Sequence, residues 1–369
     1  MPIRIAYYLP RMEQIGNRSQ LQLLRQQLPA DDFQSRLFGF VASRQQASQQ
    51  ASQSDADECL IYRSHAVDPV ALLRLAKALK AWRADIVHVW GPEDLGVEVR
   101  WPLKRAASLR MATLHNPPAR GGRWIPAAAQ RWLASCQQVT GTSHSVLKQL
   151  PAAIEGEWLP ALVAEKDRDP ERRLRSQVDL PPASRYLLVA GSDDRLEQLE
   201  LVLQVMELLV TVHDDLQLVI LGPMALADWI PRRVEQFELT GRVHLASESC
   251  DWQDLLAAAS LVLQPSSSQG ISTTLLHAMS AALPVVLADL PPHRELLSDD
   301  AAEFFPTGDS GQCARQVHQL LGDPARMKQL GAAARTAFES RDSLSQLVGR
   351  FEHIYSRLVA HSRSAGGRE

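Results

Sequence analysis

The sequence predicts an α/β protein built from two doubly wound, parallel-sheet domains. Three observations predict it. The chain has 369 residues, too many for one ordinary hydrophobic core. Short apolar runs alternate with amphipathic stretches in both halves, as strands and helices do around parallel sheets. A charged, proline-bearing stretch, residues 165–184, separates the two alternations. A hydrophobic content of 45% with 22% charged residues is that of a globular chain.

In the first half, IRIAYYL (3–9) reads as a buried strand, followed by a loop whose one glycine is Gly16. SQLQLLRQQL (19–28) has helical spacing, and the Gln/Ser/Ala-rich stretch 43–58 reads as a mobile loop. VALLRLAKALKAWRA (70–84) is an amphipathic helix, and DIVHVWG (85–91) a strand ending at a glycine. RMATLHN (110–116) and QQVTGTS (137–143) are further strands, with a helix opening at Ser143. These elements define a first domain over 1–164.

The second domain, 185–342, repeats the plan. RYLLVAGS (185–192), LQLVILGP (216–223), GRVHLAS (241–247), LVLQPSS (261–267) and PVVLAD (284–289) are its strands. Helices fall at 196–212, 252–260, 270–282, 312–322 and 327–338. A last helix, 343–362, is expected to pack back on the first domain.

Composition narrows the function classes. Cys59, Cys136, Cys250 and Cys313 lie far apart without metal-ligand spacing, which predicts reduced thiols in a cytoplasmic protein. The N-terminus lacks the pattern of a signal peptide, and no stretch approaches the roughly 18 apolar residues that span a bilayer. Residues 99–154 hold no Asp or Glu but eight Lys or Arg, so the rest of the chain carries −11 against a net charge of −3. That basic, Trp-bearing interval suits an anionic acceptor or peripheral contact with the inner face of an anionic membrane, or it is a solvated face paired with acids elsewhere. Nucleic acid is not an expected partner, because no recognition motif accompanies the charge.

The block DLLAAASLVLQPSSSQG…LLHAMSAALPVVLADLPPHREL, over 252–296, resembles the family 4 glycosyltransferases. DIVHVWG, ATLHN, VAGS and LVILG support the resemblance, which covers nearly the whole chain. It implies the GT-B fold of two Rossmann-like domains. It also implies transfer of a sugar from a nucleotide-sugar, with retention, to a glycan, lipid-linked or small-molecule acceptor. No metal or other cofactor is implied, the nucleotide-sugar being the substrate. The physical logic of such a site is that helix N-termini and cations stabilise the diphosphate as it leaves.

Carried over position by position, the resemblance places His115 at the reacting sugar, with a lone turn-capping histidine as the alternative. It places Gly270 with Ser268, Ile271 and Ser272 at the donor phosphates, Gln269 at the donor sugar and His277 at the ribose; the hydroxyl-bearing residues there also suit capping and turn chemistry. Gly16, Arg120 and Arg123 fall in loops near the acceptor.

Several positions depart from the family pattern. Its phosphate-binding Arg and Lys fall on Ser192 and Glu197, its two glutamates on Gln269 and His277, and a glycine on Ala282. Gln269 and His277 can still hydrogen-bond a sugar or ribose. Losing two hydrogen bonds to charge costs about 3–6 kcal/mol, on the order of 10²–10⁴ in affinity or rate. Arg195, in the same loop as Ser192, is the cation placed to compensate. Two readings therefore stand: a transferase with shifted donor contacts, or a catalytically inactive descendant serving as a binding or regulatory subunit.

Overall fold

A computed structural model describes residues 2–12, 15–41, 57–65, 68–96, 99–116, 127–164, 184–190, 196–221, 229–246, 255–256, 259–265 and 270–366 of the chain. Its contacts form two units. One comprises Met1–Glu13, Asn17–Leu162 and Ser343–Glu369; the other comprises Gln14–Gly16 and Val163–Asp342.

The first unit holds seven parallel strands: β1 (Ile3–Leu9), β2 (Phe33–Val41), β3 (Glu58–Tyr62), β4 (Ile86–Trp90), β5 (Leu109–Leu114), β6 (Gln138–Gly141) and β7 (Glu157–Trp158). Their order is β3-β2-β1-β4-β5-β6-β7. The direction of winding reverses between β1 and β4, which places a crevice at the carboxyl ends of those two strands. Helices α1 (Ile15–Gln27), α2 (Pro69–Trp82), α3 (Arg100–Ala106), α4 (Ala127–Leu133) and α5 (His144–Leu147) connect the strands. α2 starts where Asp68 accepts hydrogen bonds from the Val70 and Ala71 N–H groups, and it ends at Arg83 with φ 52°. The Ser143 hydroxyl accepts from the Val146 N–H at 3.1 Å and caps α5, as its sequence predicts.

The second unit has six parallel strands: β8 (Arg185–Ala190), β9 (Leu216–Leu221), β10 (Val243–Ala246), β11 (Leu261–Gln264), β12 (Val285–Ala288) and β13 (Glu303–Phe305). Their order, β10-β9-β8-β11-β12-β13, reverses between β8 and β11. Its helices are α6 (Leu196–Val210), α7 (Trp229–Gln236), α8 (Thr273–Ser280), α9 (Pro291–Leu296), α10 (Ser310–Leu321) and α11 (Pro324–Glu339). The fold is thus two Rossmann-like parallel-sheet domains.

The chain ends in α12 (Leu344–Gly366), which packs on β1 and β5. It buries Leu347, Phe351, Ile354 and Tyr355 with Ile5, Tyr7, Trp90 and Met111 in one core of the first unit. α2, α3 and α4 cover the opposite face through Leu75, Leu79, Leu103 and Trp132.

Three features differ from the sequence expectation. β2 and β3 are strands that the apolar-run criterion passes over, because Gln34, Ser35 and Arg36 break the first and the second is an edge strand of only five residues. α8 begins at Thr273 rather than at Gly270, because Ser272 still has extended dihedrals (φ −75°, ψ 133°), and it stops at Ser280. β12 is not the last strand: β13, a three-residue strand after the last one the sequence predicts, pairs beyond it.

Candidate functional site

The first sheet gathers polar groups at its reversal point. β4 ends at Trp90, and Gly91, with φ +83°, turns the chain into a 3-10 turn over Pro92–Asp94. The turn brings Glu93 to the end of β5. There its Oε1 accepts hydrogen bonds from the His115 N–H at 3.2 Å and the Asn116 N–H at 3.0 Å. Arg11, after β1, pairs with Asp94 at 3.4 Å across the same reversal point.

His115 is 5% exposed and its ring lies 5.2 Å from that of Trp90. Burial holds its pKa down to about 3, so the ring is neutral at physiological pH. Burial, reinforced by the neighbouring Asp94 charge, pushes the Glu93 carboxyl up to about 8. Two atoms of this pair, His115 Nε2 and Glu93 Oε2, are buried without a hydrogen-bond partner.

Behind them runs a buried hydrogen-bond chain. Tyr7 and Tyr355 hydroxyls lie 2.9 Å apart, Tyr355 lies 2.9 Å from His88 Nδ1, His88 Nε2 2.8 Å from Thr113 Oγ1, and Thr113 Oγ1 2.7 Å from Thr140 Oγ1. Thr140 Oγ1 donates to the Ala112 carbonyl. That last bond sets one direction through the chain: Tyr7 donates to Tyr355, Tyr355 to His88 Nδ1, and the His88 Nε2–H to Thr113, which donates to Thr140. Every proton is used, and His88 is held as a neutral tautomer, in line with a pKa held down to about 3 by burial. The His88 ring packs 5.2 Å from Trp90, so α12 supports the ring against which His115 rests.

In the second unit the reversal lies between β8 and β11. Residues 265–272 lead from β11 to α8; Gly270, Ile271 and Ser272 are half-buried, and His277 is buried within α8. Ser272 stands at the N-cap but its side chain makes no capping bond, which leaves first-turn N–H donors of α8 uncapped by it. Gln264, at the end of β11, is buried with its Oε1 unpartnered. Gly16, in the first turn of α1, groups with this unit by its contacts. Glu197 is exposed in the first turn of α6. Ser192, Arg195, Ser268, Gln269, Arg120 and Arg123 lie outside the described residues, as does the 43–56 part of the stretch read as a loop.

Among the described residues, no cluster of three or more His, Cys, Asp or Glu side chains could hold a metal, and no helix is long and apolar enough to cross a membrane.

The model of the family "Glycosyl transferases group 1" matches residues 170–337, and that of "Glycosyltransferase Family 4" matches residues 19–154. The chain belongs to the group 1 glycosyltransferases of GT-B type. The protein named "Putative glycosyltransferase EpsD" of Bacillus subtilis (strain 168) is 28% identical over 146 residues, covering 39% of this chain and 38% of that one. This group 1 glycosyltransferase thus spans well under half of that relative's length in the match. Among solved structures, sucrose-phosphate synthase from Thermosynechococcus elongatus superimposes with a TM-score of 0.78 at 16% identity, over 97% of this chain and 100% of the other. Anabaena HepE, solved in complex with UDP and glucose, gives 0.74 at 13% identity over 95% and 99%. At such identities these likenesses show a shared fold.

Of the residues singled out in the sequence, the structure places His115 at the reversal point of the first sheet and Gly270, Ile271, Ser272 and His277 after β11 of the second. Glu93 and the Tyr7–Tyr355–His88 chain went unread. The available signal for Glu93 was a Gly-Pro-Glu-Asp turn directly after a buried strand, which reads as an ordinary solvated loop until the turn folds the carboxyl inward.

Proposed function

We propose that the protein is a retaining glycosyltransferase that moves a sugar from a nucleotide-sugar to a glycan, lipid-linked or small-molecule acceptor, without a resident metal. Family membership over both halves carries this reading, and the neutral His115 with a free Nε2 at a strand-end crevice supports it. His115 contacts the reacting sugar. Gly270 with Ser268, Ile271 and Ser272 takes the diphosphate at the start of α8, Gln269 the sugar, His277 the ribose, and Arg195 with Ser192 the phosphates from the loop after β8. Gly16, Arg120 and Arg123 border the acceptor. HepE was solved with UDP and glucose, which makes UDP-glucose the first donor to try.

Calorimetry with a panel of nucleotide-sugars, followed by donor hydrolysis and transfer assays, tests this reading. Binding together with hydrolysis abolished by His115→Ala is expected; no binding at millimolar donor overturns it. The substituted positions Ser192, Glu197, Gln269 and His277 favour a second reading, a catalytically inactive GT-B descendant acting as a binding or regulatory subunit. Donor turnover would exclude it.

The basic interval 99–154 gives a peripheral reading for location in the cytoplasm at the inner membrane face. α3 exposes Trp101, with Arg105 stacked over its ring at 5.2 Å and Lys104 alongside. Flotation with anionic vesicles should lose the protein when Arg105, Arg123 and Arg131 are reversed in charge; an unchanged partition defeats this part of the proposal.

A further inference from the structure

The Glu93 carboxyl has one oxygen fully used and one left over. Oε1 accepts two backbone N–H groups, from His115 and Asn116, and so fixes the carboxyl against the end of β5. Oε2 is buried with no partner, and so is Nε2 of His115, on the residue whose N–H the same carboxyl holds. A buried polar atom without a hydrogen bond is costly, and most are satisfied. Two such atoms, on residues tied together by the Glu93 Oε1–His115 N–H bond, lie at the reversal point of a doubly wound sheet, where ligands bind in folds of this kind.

We propose that Glu93 is a substrate-contacting residue, whose Oε2, together with His115 Nε2, takes a hydroxyl of the sugar handled at this sheet edge. A hydroxyl both donates and accepts, which matches one donor and one acceptor better than it matches a pair of anions. With its proton on Oε2, Glu93 donates to the sugar oxygen, and the ring nitrogen completes the pair. The carboxyl keeps this proton up to about pH 8. Burial and the Asp94 charge beside it favour the neutral acid, His115 is neutral, Arg11 at 3.4 Å from Asp94 offsets part of that charge, and Arg131 on α4, the helix packed on the turn, is exposed to solvent. Ionisation would turn the donor into a charged acceptor, and with His115 Nε2 also accepting, the single hydroxyl proton could serve only one of the two, which weakens binding. The inference deepens the transferase reading and rests on it for the identity of the ligand as a sugar.

The test uses the full chain, with UDP-glucose and free glucose as probes, titrated by calorimetry from about pH 6 to about pH 9.5. Wild-type affinity for the sugar-bearing probe is expected to fall about ten-fold as the pH passes about 8. Glu93→Gln keeps Oε1 and a donor, so it should keep its affinity across the range. Glu93→Leu should bind about ten-fold more weakly at every pH. A role confined to holding residues 115 and 116 would leave the pH limb identical in wild type and Glu93→Gln, and that result overturns the proposal. So does a Glu93 carboxyl 13C resonance that titrates near the ordinary glutamate value, a readout that needs neither sugar nor turnover. Sugar transfer unimpaired in Glu93→Leu removes Glu93 and leaves the transferase reading. Glucose binding that depends on Glu93, without any turnover, removes the transferase reading and leaves the site.

Discussion

At the scale of residues, the crevice of the first sheet sets two opposite pH dependences against each other. Glu93, at about 8 in the fold, keeps its proton after the unfolded chain has released its own. Its contribution to stability is therefore complete below the ordinary glutamate value and is lost as pH rises to about 8. His88 and His115, held near 3, stay neutral where the unfolded histidines are charged, so their contributions are complete above about 6.5 and are lost as pH falls toward 3. Between about pH 6.5 and pH 8, Glu93 alone of the three sets the slope. Urea titrations should show stability declining there by up to about 1.4 kcal/mol per pH unit, and Glu93→Gln should flatten that decline. Below about pH 6 the order reverses: His115→Gln should lose less stability on acidification than wild type does. A wild-type curve flat from pH 6.5 to 8 would contradict the neutral carboxyl. The positioning chain makes a further prediction. Tyr355→Phe leaves His88 Nδ1 and the Tyr7 hydroxyl without their shared partner, at a cost of about 1–3 kcal/mol by thermal or chemical unfolding.

At the scale of elements, the turn after α8 shows what one lost glycine does. Ala282 stands where the family pattern has glycine, and its φ is +53°, in the left-handed region that a Cβ disfavours by roughly 1–2 kcal/mol. Directly opposite, Gly331 of α11 lets that helix approach the turn: a Cβ on Gly331 would meet the Ala282 carbonyl oxygen at 2.1 Å. An alanine thus holds a left-handed conformation that glycine suits better, kept in place by helix packing. Ala282→Gly should stabilise the protein by on the order of 0.5 kcal/mol, the strain relieved less the extra freedom glycine gives the unfolded chain. Gly331→Ala should destabilise it far more, because backbone rather than a movable side chain stands in the way. Denaturant midpoints of the two variants, moving in opposite directions, check the pair. The same element separates what the sequence could announce from what it could not. A glycine-to-alanine departure is visible in the letters, but its compensation lies in a helix that begins more than forty residues later.

At the scale of the whole molecule, the legible part was the part governed by burial on both faces. Strands such as Ile3–Leu9, Ile86–Trp90 and Val285–Ala288 are mostly apolar runs, broken only by Arg4 and His88, because helices cover both sides, and their alternation with helices reports two parallel sheets. β2 and β3 escaped because polar residues enter the pattern toward the sheet's edge. The strand end that carries His115 was legible in RMATLHN, whereas the placing of Glu93 beside it depends on a turn that only folding reveals, and the Tyr7–Tyr355–His88 chain joins residues up to 348 positions apart. That long reach makes the C-terminal helix part of the first unit's core rather than an appendage. Phe351 and Tyr355 are fully buried, and Phe351 stacks at 5.7 Å on the Trp90 ring that supports His115. Phe351→Ala should therefore cost about 3–5 kcal/mol, and the loss should be local to one core. Hydrogen exchange is the measurement that separates local from global loosening. Faster exchange is expected along β1, β4 and β5, with β8, β9 and β11 unchanged, because Phe351 touches the first core and the second is built from α6, α10 and α11 on its own sheet. Equal acceleration in both sheets would mean that the two cores unfold as one, and the assignment of α12 to the first would lose its energetic meaning.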